Sequence, residues 1–186
     1  MLTLNFIPFP ELETDRLRLR RMKPEDAPGL FVLRSDPEIM RYIPRPLAVT
    51  VADVTALIQM VNDLADKNEV ISWAIALKET DQIIGTIGFV RLSKENHRGE
   101  VGYMLSKDFH GKGFIGEALN AVLDFGFSQL KFHTIFAIVD PGNIASIKLL
   151  ERNGFVKEAY FKEDCYYDGR FLDSVHYSLM NPESRG

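Results

Sequence analysis

The chain has little that would staple or anchor it. Among its 186 residues there is one cysteine, Cys165, so no internal disulfide can form, which suits a reducing compartment. No apolar run approaches the roughly 20 residues that cross a bilayer. The start, Met1-Leu-Thr-Leu-Asn-Phe-Ile-Pro8, lacks the positive segment and small-residue cleavage site of a signal peptide. The expectation is a cytoplasmic protein with no membrane partner. Basic excess is missing too. Lys and Arg number 22 against 26 Asp and Glu, a net charge of −4, so nothing drives binding to a phosphate backbone and a nucleic-acid partner is disfavoured. His97, His110, His133 and His176 show no metal-ligand spacing, and no metal is expected.

No repeat, low-complexity stretch or Pro/Gly/Ser linker interrupts the chain, and its length suits one ordinary domain over residues 1–186. Such a domain buries roughly 70% of the surface its unfolded chain exposes, enough for a core without staples.

Hydrophobic spacing gives the order of elements. Arg16–Met22 alternates polar and apolar as a half-buried strand does. Pro24-Glu-Asp opens a helix through Leu33, its acids at the favoured end of the dipole. A second helix runs from Val51 to Leu64. Three strands follow, Val70–Leu77, Ile83–Leu92 and Glu100–Leu105, and their turns point to an antiparallel meander. Ile115, Ala118, Leu119, Val122 and Leu123 recur at helical spacing within Phe114–Gln129. Then come a buried strand Thr134–Val139, a short helix Asn143–Arg152 stopped by Gly154, and strands Phe155–Phe161 and Phe171–Leu179 about the turn Tyr167-Asp-Gly-Arg170. The order β-αα-βββ-α-β-α-ββ describes an α/β fold with a mixed sheet and helices on both faces.

The stretch His110-Gly-Lys-Gly-Phe-Ile-Gly116 carries the chemistry. Three glycines at a helix start let a ligand approach unpaired main-chain N–H groups, and the helix dipole favours an anion there, phosphate above all. Lys112 adds charge at the rim. The same letters also spell the dinucleotide fingerprint, with Asp140 near the place of the ribose-binding acid. That motif belongs directly after the first strand of a long doubly wound domain. Here Ser106–His110 intervenes, an antiparallel meander precedes, and only 70 residues follow Gly116. The dinucleotide reading is disfavoured, and a Walker loop fails because Gly113, not Ser or Thr, follows Lys112.

These segments together resemble the GNAT superfamily of acetyl-CoA-dependent N-acetyltransferases, in the branch named for the Rim enzymes that acetylate ribosomal-protein N-termini. The resemblance runs through Leu12–Arg20, Pro24-Glu-Asp26, Ser35–Tyr42, Glu100-Val-Gly-Tyr-Met-Leu105, the glycine loop, Asn143-Ile-Ala-Ser146, Glu151-Arg-Asn-Gly-Phe155 and Tyr177-Ser-Leu179. It implies the GNAT fold, acetyl-CoA as co-substrate and an amine acceptor. It maps the pyrophosphate loop onto His110, Gly111, Lys112, Gly113, Phe114, Ile115 and Gly116. His110 stands where the family carries Arg or Gln, and Ile115 where it carries a small residue. Backbone groups of Tyr103, Met104 and Leu105 correspond to the segment that pairs with the pantetheine arm. Glu100 is the implied base, Ser146 and Tyr177 the implied proton donors, and Asn143 an N-cap beside the coenzyme.

The reaction needs a neutral amine. An α-amino group is about 14% neutral at pH 7 and a lysine about 0.04%, a difference of some 300-fold. A chain-terminal amine is the favoured acceptor, with polyamines, amino acids, antibiotics and a non-catalytic acyl-CoA-binding role as alternatives. Cys165 is remote in sequence from every motif, so direct transfer without a covalent enzyme intermediate is expected. Assembly state is open, a homodimer included.

Overall fold

The computed structural model describes residues 1–184. Eight strands form one mixed sheet in the order β1-β2-β3-β4-β5-β6-β8-β7. In chain order the elements are β1 Leu12–Glu13, β2 Leu17–Arg20, α1 Ala27–Arg34, α2 Val51–Asp66, β3 Ile71–Leu77, β4 Ile83–Ser93 and β5 Arg98–Leu105. There follow α3 Phe114–Ser128, β6 Thr134–Val139, α4 Ile144–Arg152, β7 Val156–Tyr167 and β8 Arg170–Met180.

The expected order stands, with three differences. A two-residue strand, β1, pairs antiparallel with β2; two residues carry no periodicity to read. A short 3-10 turn, Pro24–Asp26, precedes α1. β7 runs six residues past Phe161, because the hairpin closes only at Asp168-Gly169, whose φ values of 49° and 79° fit a two-residue primed turn.

One face of the sheet takes α3, whose Ala118, Leu119, Val122 and Leu123 pack into a core with Trp73, Phe89 and Ile135. Trp73 anchors it, edge-on to Phe125 at 5.5 Å while its Nε1 donates to the Pro10 carbonyl at 2.6 Å. The other face takes α1 and α2 through Leu30, Val54 and Ile58 on Met22 and Ala74.

The feature that matters for function is a parting of strands. β5 and β6 pair in parallel over only Arg98–Glu100 and Thr134–Phe136. Beyond Glu100, β5 stays with β4 as far as Leu105, while β6 stays with β8 as far as Val139. The cause lies in β4. Val90 is an extra residue between Phe89, paired with Val101, and Arg91, paired with Glu100. Such a bulge sharpens local twist, and it falls at the level where the two arms diverge.

Arg20 ties β2 to the start of α1. Its guanidinium grips Asp26 with two bonds of 2.8 and 2.9 Å and reaches Asp81 at 2.8 Å, with Arg20 and Asp26 both buried. Removing one partner of such a pair strands a buried charge. Asp26→Ala is therefore expected to lower unfolding stability by about 3 kcal/mol, read by urea denaturation; an unchanged midpoint would deny the pair its structural role.

Candidate active site

β5, the loop 106–113, and the turn 140–143 meet at the open end of the notch. Alternation fixes which peptide groups face it. Ser106 N–H donates to the Ile84 carbonyl at 2.8 Å, toward β4, so Met104 also turns its peptide groups to β4, opposite Thr86. Tyr103 and Leu105 then turn theirs toward the notch, where β6 has withdrawn. Of the three residues expected to offer backbone groups, Tyr103 and Leu105 face the notch and Met104 faces β4.

The glycine loop leaves β5 through the short turn Lys107–Phe109. Gly111 and Gly113 take φ of 72° and 81°, a region costly for any residue with a Cβ, and Gly113 caps α3. Glu117 N–H is the first to find a helical acceptor, the Gly113 carbonyl. The N–H groups of Phe114, Ile115 and Gly116 are left as the helix's free donors. Gly116 needs no special conformation; a Cβ there would meet Leu149 at an ordinary 3.7 Å. The two departures from the family pattern have separate fates. Ile115 packs its side chain against the core beneath α3. His110 Nε2 lies 3.0 Å from the Leu105 carbonyl and, facing an acceptor, is the donor. The ring thus turns back to β5 instead of toward the loop's mouth. Lys112 Nζ likewise donates to the Asp108 carbonyl at 2.7 Å.

A residue the sequence reading passed over holds this loop. Arg16 Nη1 donates to the Lys112 carbonyl at 3.1 Å, its Nε and Nη2 reach Glu117 at 2.7 Å, and its guanidinium lies 4.1 Å from the Phe114 ring centre. Thr14 Oγ1 donates to the same Glu117 carboxylate. Only the tertiary fold, which lays β1–β2 beside α3, brings these together.

Glu100 sits at the crotch of the notch on the face covered by α1 and α2. Its side chain is 12% exposed, with Arg91 Nη1 at 3.1 Å. That contact lacks hydrogen-bonding geometry, and Oε2 is buried without a hydrogen-bond partner. Burial raises the carboxyl above its ordinary pKa, against the opposing pull of Arg91 and Arg45.

Tyr103 and Ser146 lie on the opposite face. Their hydroxyls are 2.7 Å apart, joining β5 to the first turn of α4 across the notch. Burial pushes the Tyr103 phenol up to about 12 although Ser146 pulls it down. Asn143 caps α4 as expected, its Oδ1 accepting from Ser146 N–H at 3.1 Å. Tyr177 goes elsewhere: its hydroxyl donates to Glu151 at 3.1 Å, five residues further along α4, about 7.5 Å of helix rise from Ser146. The Tyr103 phenol was legible only as a backbone position.

A strap spans the mouth. Lys107 pairs with Asp36 at 2.8 Å and with Glu38. A Cβ on Gly142 would come within 3.2 Å of the Tyr42 ring. The α1–α2 connection therefore touches both banks of the notch. Asp140 Oδ1 accepts from Gly142 N–H at 2.7 Å in a local turn. A groove of about 550 Å³ between β1 and the outer side of α3 is lined by Glu11, Glu13 and Asp124 and contains none of the expected site residues; Glu117, which holds the loop, lies at its edge. It is an open surface groove. Among the described residues no three His, Cys, Asp or Glu side chains are grouped to hold a metal ion.

Residues 16–156 match the family described as acetyltransferase (GNAT) domain. The "Uncharacterized N-acetyltransferase p20" of Bacillus licheniformis is 40% identical over 175 residues, spanning 94% of this chain and 98% of that protein. The ribosomal protein uS5-alanine N-acetyltransferase of Escherichia coli is 30% identical over 129 residues, 69% of this chain and 66% of that one. In three dimensions the RimL ribosomal L7/L12 alpha-N-protein acetyltransferase, solved with coenzyme A, superposes with a TM-score of 0.83 at 19% identity, over 92% of this chain and 98% of its own.

Glu100 gives a stability test. A carboxyl whose folded pKa is raised makes the native state the tighter proton binder, so stability falls as pH rises from the unfolded pKa through the folded one. Glu100→Gln is expected to melt above the wild type at pH 7, with the difference closing below about pH 4. A variant that melts lower at pH 7 would show that Glu100 is not held at a cost.

Proposed function

We infer the reaction from one premise: the chain belongs to the GNAT acetyltransferase family. In our reading it moves an acetyl group from acetyl-CoA directly to a primary amine, and the favoured acceptor is the α-amine of a protein or peptide N-terminus. The observation that carries this is the notch, with free peptide groups on one wall, a carboxylate on one face and a hydroxyl pair on the other. Two related proteins support the finer reading by what their names say they act on, ribosomal protein uS5 and L7/L12.

The coenzyme's pyrophosphate sits on the N–H groups of Phe114, Ile115 and Gly116, with Gly111 and Gly113 giving close approach. Its pantetheine arm extends β5 as a strand would, on the peptide groups of Tyr103 and Leu105. The His110 bond takes one of those, the Leu105 carbonyl. The neutral amine enters over the α1–α2 face, and once its nitrogen has formed the new bond it gives up a proton to Glu100, directly or through a water. Its nitrogen attacks the thioester carbonyl, and a notch N–H holds the oxygen while it is negative. The intermediate collapses, the C–S bond breaks, and the leaving thiolate takes a proton from Ser146, which recovers one through Tyr103. Proton removal and proton delivery thus fall on opposite faces of the sheet. Tyr177, whose hydroxyl is committed to Glu151, is left out of the proton path. Asn143 holds the first turn of α4, and with it Ser146, in place.

Two substitutions test the assignment. Gly113→Val forces a branched residue to a φ of 81° with Arg16 Nη2 3.5 Å from its Cβ. Its acetyl-CoA affinity is expected to fall at least about tenfold by calorimetry, and an unchanged affinity would misplace the pyrophosphate. Glu100→Gln is expected to lower kcat roughly 100-fold or more with peptide acceptors while acetyl-CoA binds as before. Unchanged turnover would remove Glu100 from the reaction. A screen in which polyamines are acetylated and N-terminal peptides are not would overturn the acceptor.

A further inference from the structure

We propose that the acceptor carries an anionic group, a carboxylate or phosphate, on the same molecule as its amine, and that Arg34 and Arg45 hold that group on the Glu100 face of the notch. The proposal deepens the transferase reading and rests on it.

The geometry starts from α1. Leu33 packs on Met104, and Met104 and Glu100, four residues apart on β5, point to the same face. Arg34 follows Leu33 in the last turn of α1, half-buried. The α1–α2 connection then folds back, with Ala48 N–H donating to the Arg34 carbonyl at 3.0 Å, and returns Arg45 to the same region. Burial, with like charge from the exposed Arg45 added, lowers the Arg34 pKa, and Arg45 also pulls down the Glu100 carboxyl against the effect of burial there.

What sets Arg34 apart is that it is half-buried and still has no partner among the described residues, whereas Arg45, Arg152 and Arg170, also without side-chain partners there, are exposed. Arg16, Arg20 and Arg21 each grip a carboxylate with two nitrogens. Among the described residues the Arg34 guanidinium makes no hydrogen bond or ion pair. A cation at a helix C-terminus is favoured by the dipole, which accounts for the residue type. It does not account for a guanidinium that is partly desolvated, unpaired and beside a second cation, all of which cost free energy. An anion repays those costs, and a planar fork with a second positive charge alongside suits a carboxylate or phosphate. The strap that carries Arg45 also touches both banks of the notch, and in this proposal the anion held there belongs to the molecule whose amine meets Glu100.

The test uses the intact chain and acetyl-CoA, with thiol release measured for matched amines. One arm pairs free amino acids with their amides. A second pairs aspartyl with asparaginyl N-terminal dipeptide amides. The third pairs phosphoethanolamine with ethanolamine. The expected result is a kcat/KM about tenfold or more higher for the anionic member of at least one pair, with that ratio falling toward one in Arg34→Gln. Which arm responds identifies the source of the charge. Equal turnover within every pair, or a preference that survives Arg34→Gln, overturns the proposal. If no amine is acetylated, calorimetric binding of succinate and of inorganic phosphate decides. Binding that Arg34→Gln abolishes keeps the anion site while the transferase reading falls; no binding to the wild type ends both. Thermal melting separates a structural role, because loss of an unpaired half-buried cation should leave Tm unchanged or raise it. A lower Tm in Arg34→Gln would assign Arg34 to the fold and overturn the proposal.

Discussion

Peptide groups inside a sheet need partners, and here two adjacent strands abandon each other after three residues of pairing. Everything at the site follows from that parting. The bulge at Val90 turns β4 and β5 away together, so the ladder between them survives while the one to β6 ends. The Tyr103 peptide groups and the Leu105 N–H are left facing open space, the Leu105 carbonyl being taken by His110, and the same divergence aims the start of α3 and the start of α4 at the notch from either side. A ligand with its own amides can complete the ladder, and one with phosphates can complete the helix.

The two faces of the notch differ in electrical character. On the α1–α2 face, Glu100 is buried among arginines that attract it but do not hydrogen-bond it. That arrangement keeps a carboxylate able to accept a proton, whereas a tight bidentate pair such as Arg20–Asp26 would hold it ionised. On the opposite face two neutral hydroxyls, Tyr103 and Ser146, share one short contact in a buried setting. A base on one side and a donor on the other give the proton traffic of acyl transfer a direction.

Much of this was legible in the sequence, and the parts that were not have physical reasons. The helices and most strands announce themselves by period, and the glycines of the loop by the backbone they permit. β1 is too short to have a period, and the end of β7 is exposed on a strand edge where alternation carries no burial signal. Met104 could not be separated from Tyr103 and Leu105, because which peptide faces the notch depends on a register set by β4. Arg16 looked like an ordinary strand residue until the fold placed it against Glu117, one hundred and one positions away. His110 and Ile115 read as defects in a phosphate loop. In the fold they bond the Leu105 carbonyl and fill the core, and the main-chain donors remain.

The central claim is that one coenzyme lies in the notch along β5 and across the start of α3. The direct measurement is a titration of nitrogen-15-labelled protein with acetyl-CoA, beside one with NADH, followed by amide NMR shifts. The account predicts that acetyl-CoA moves the amides of Tyr103, Leu105, Phe114, Ile115 and Gly116 strongly, with the Met104 amide, bonded to β4, moving less, and that NADH leaves them in place. Acetyl-CoA binding that spares these amides, or NADH shifting the same set, would contradict it.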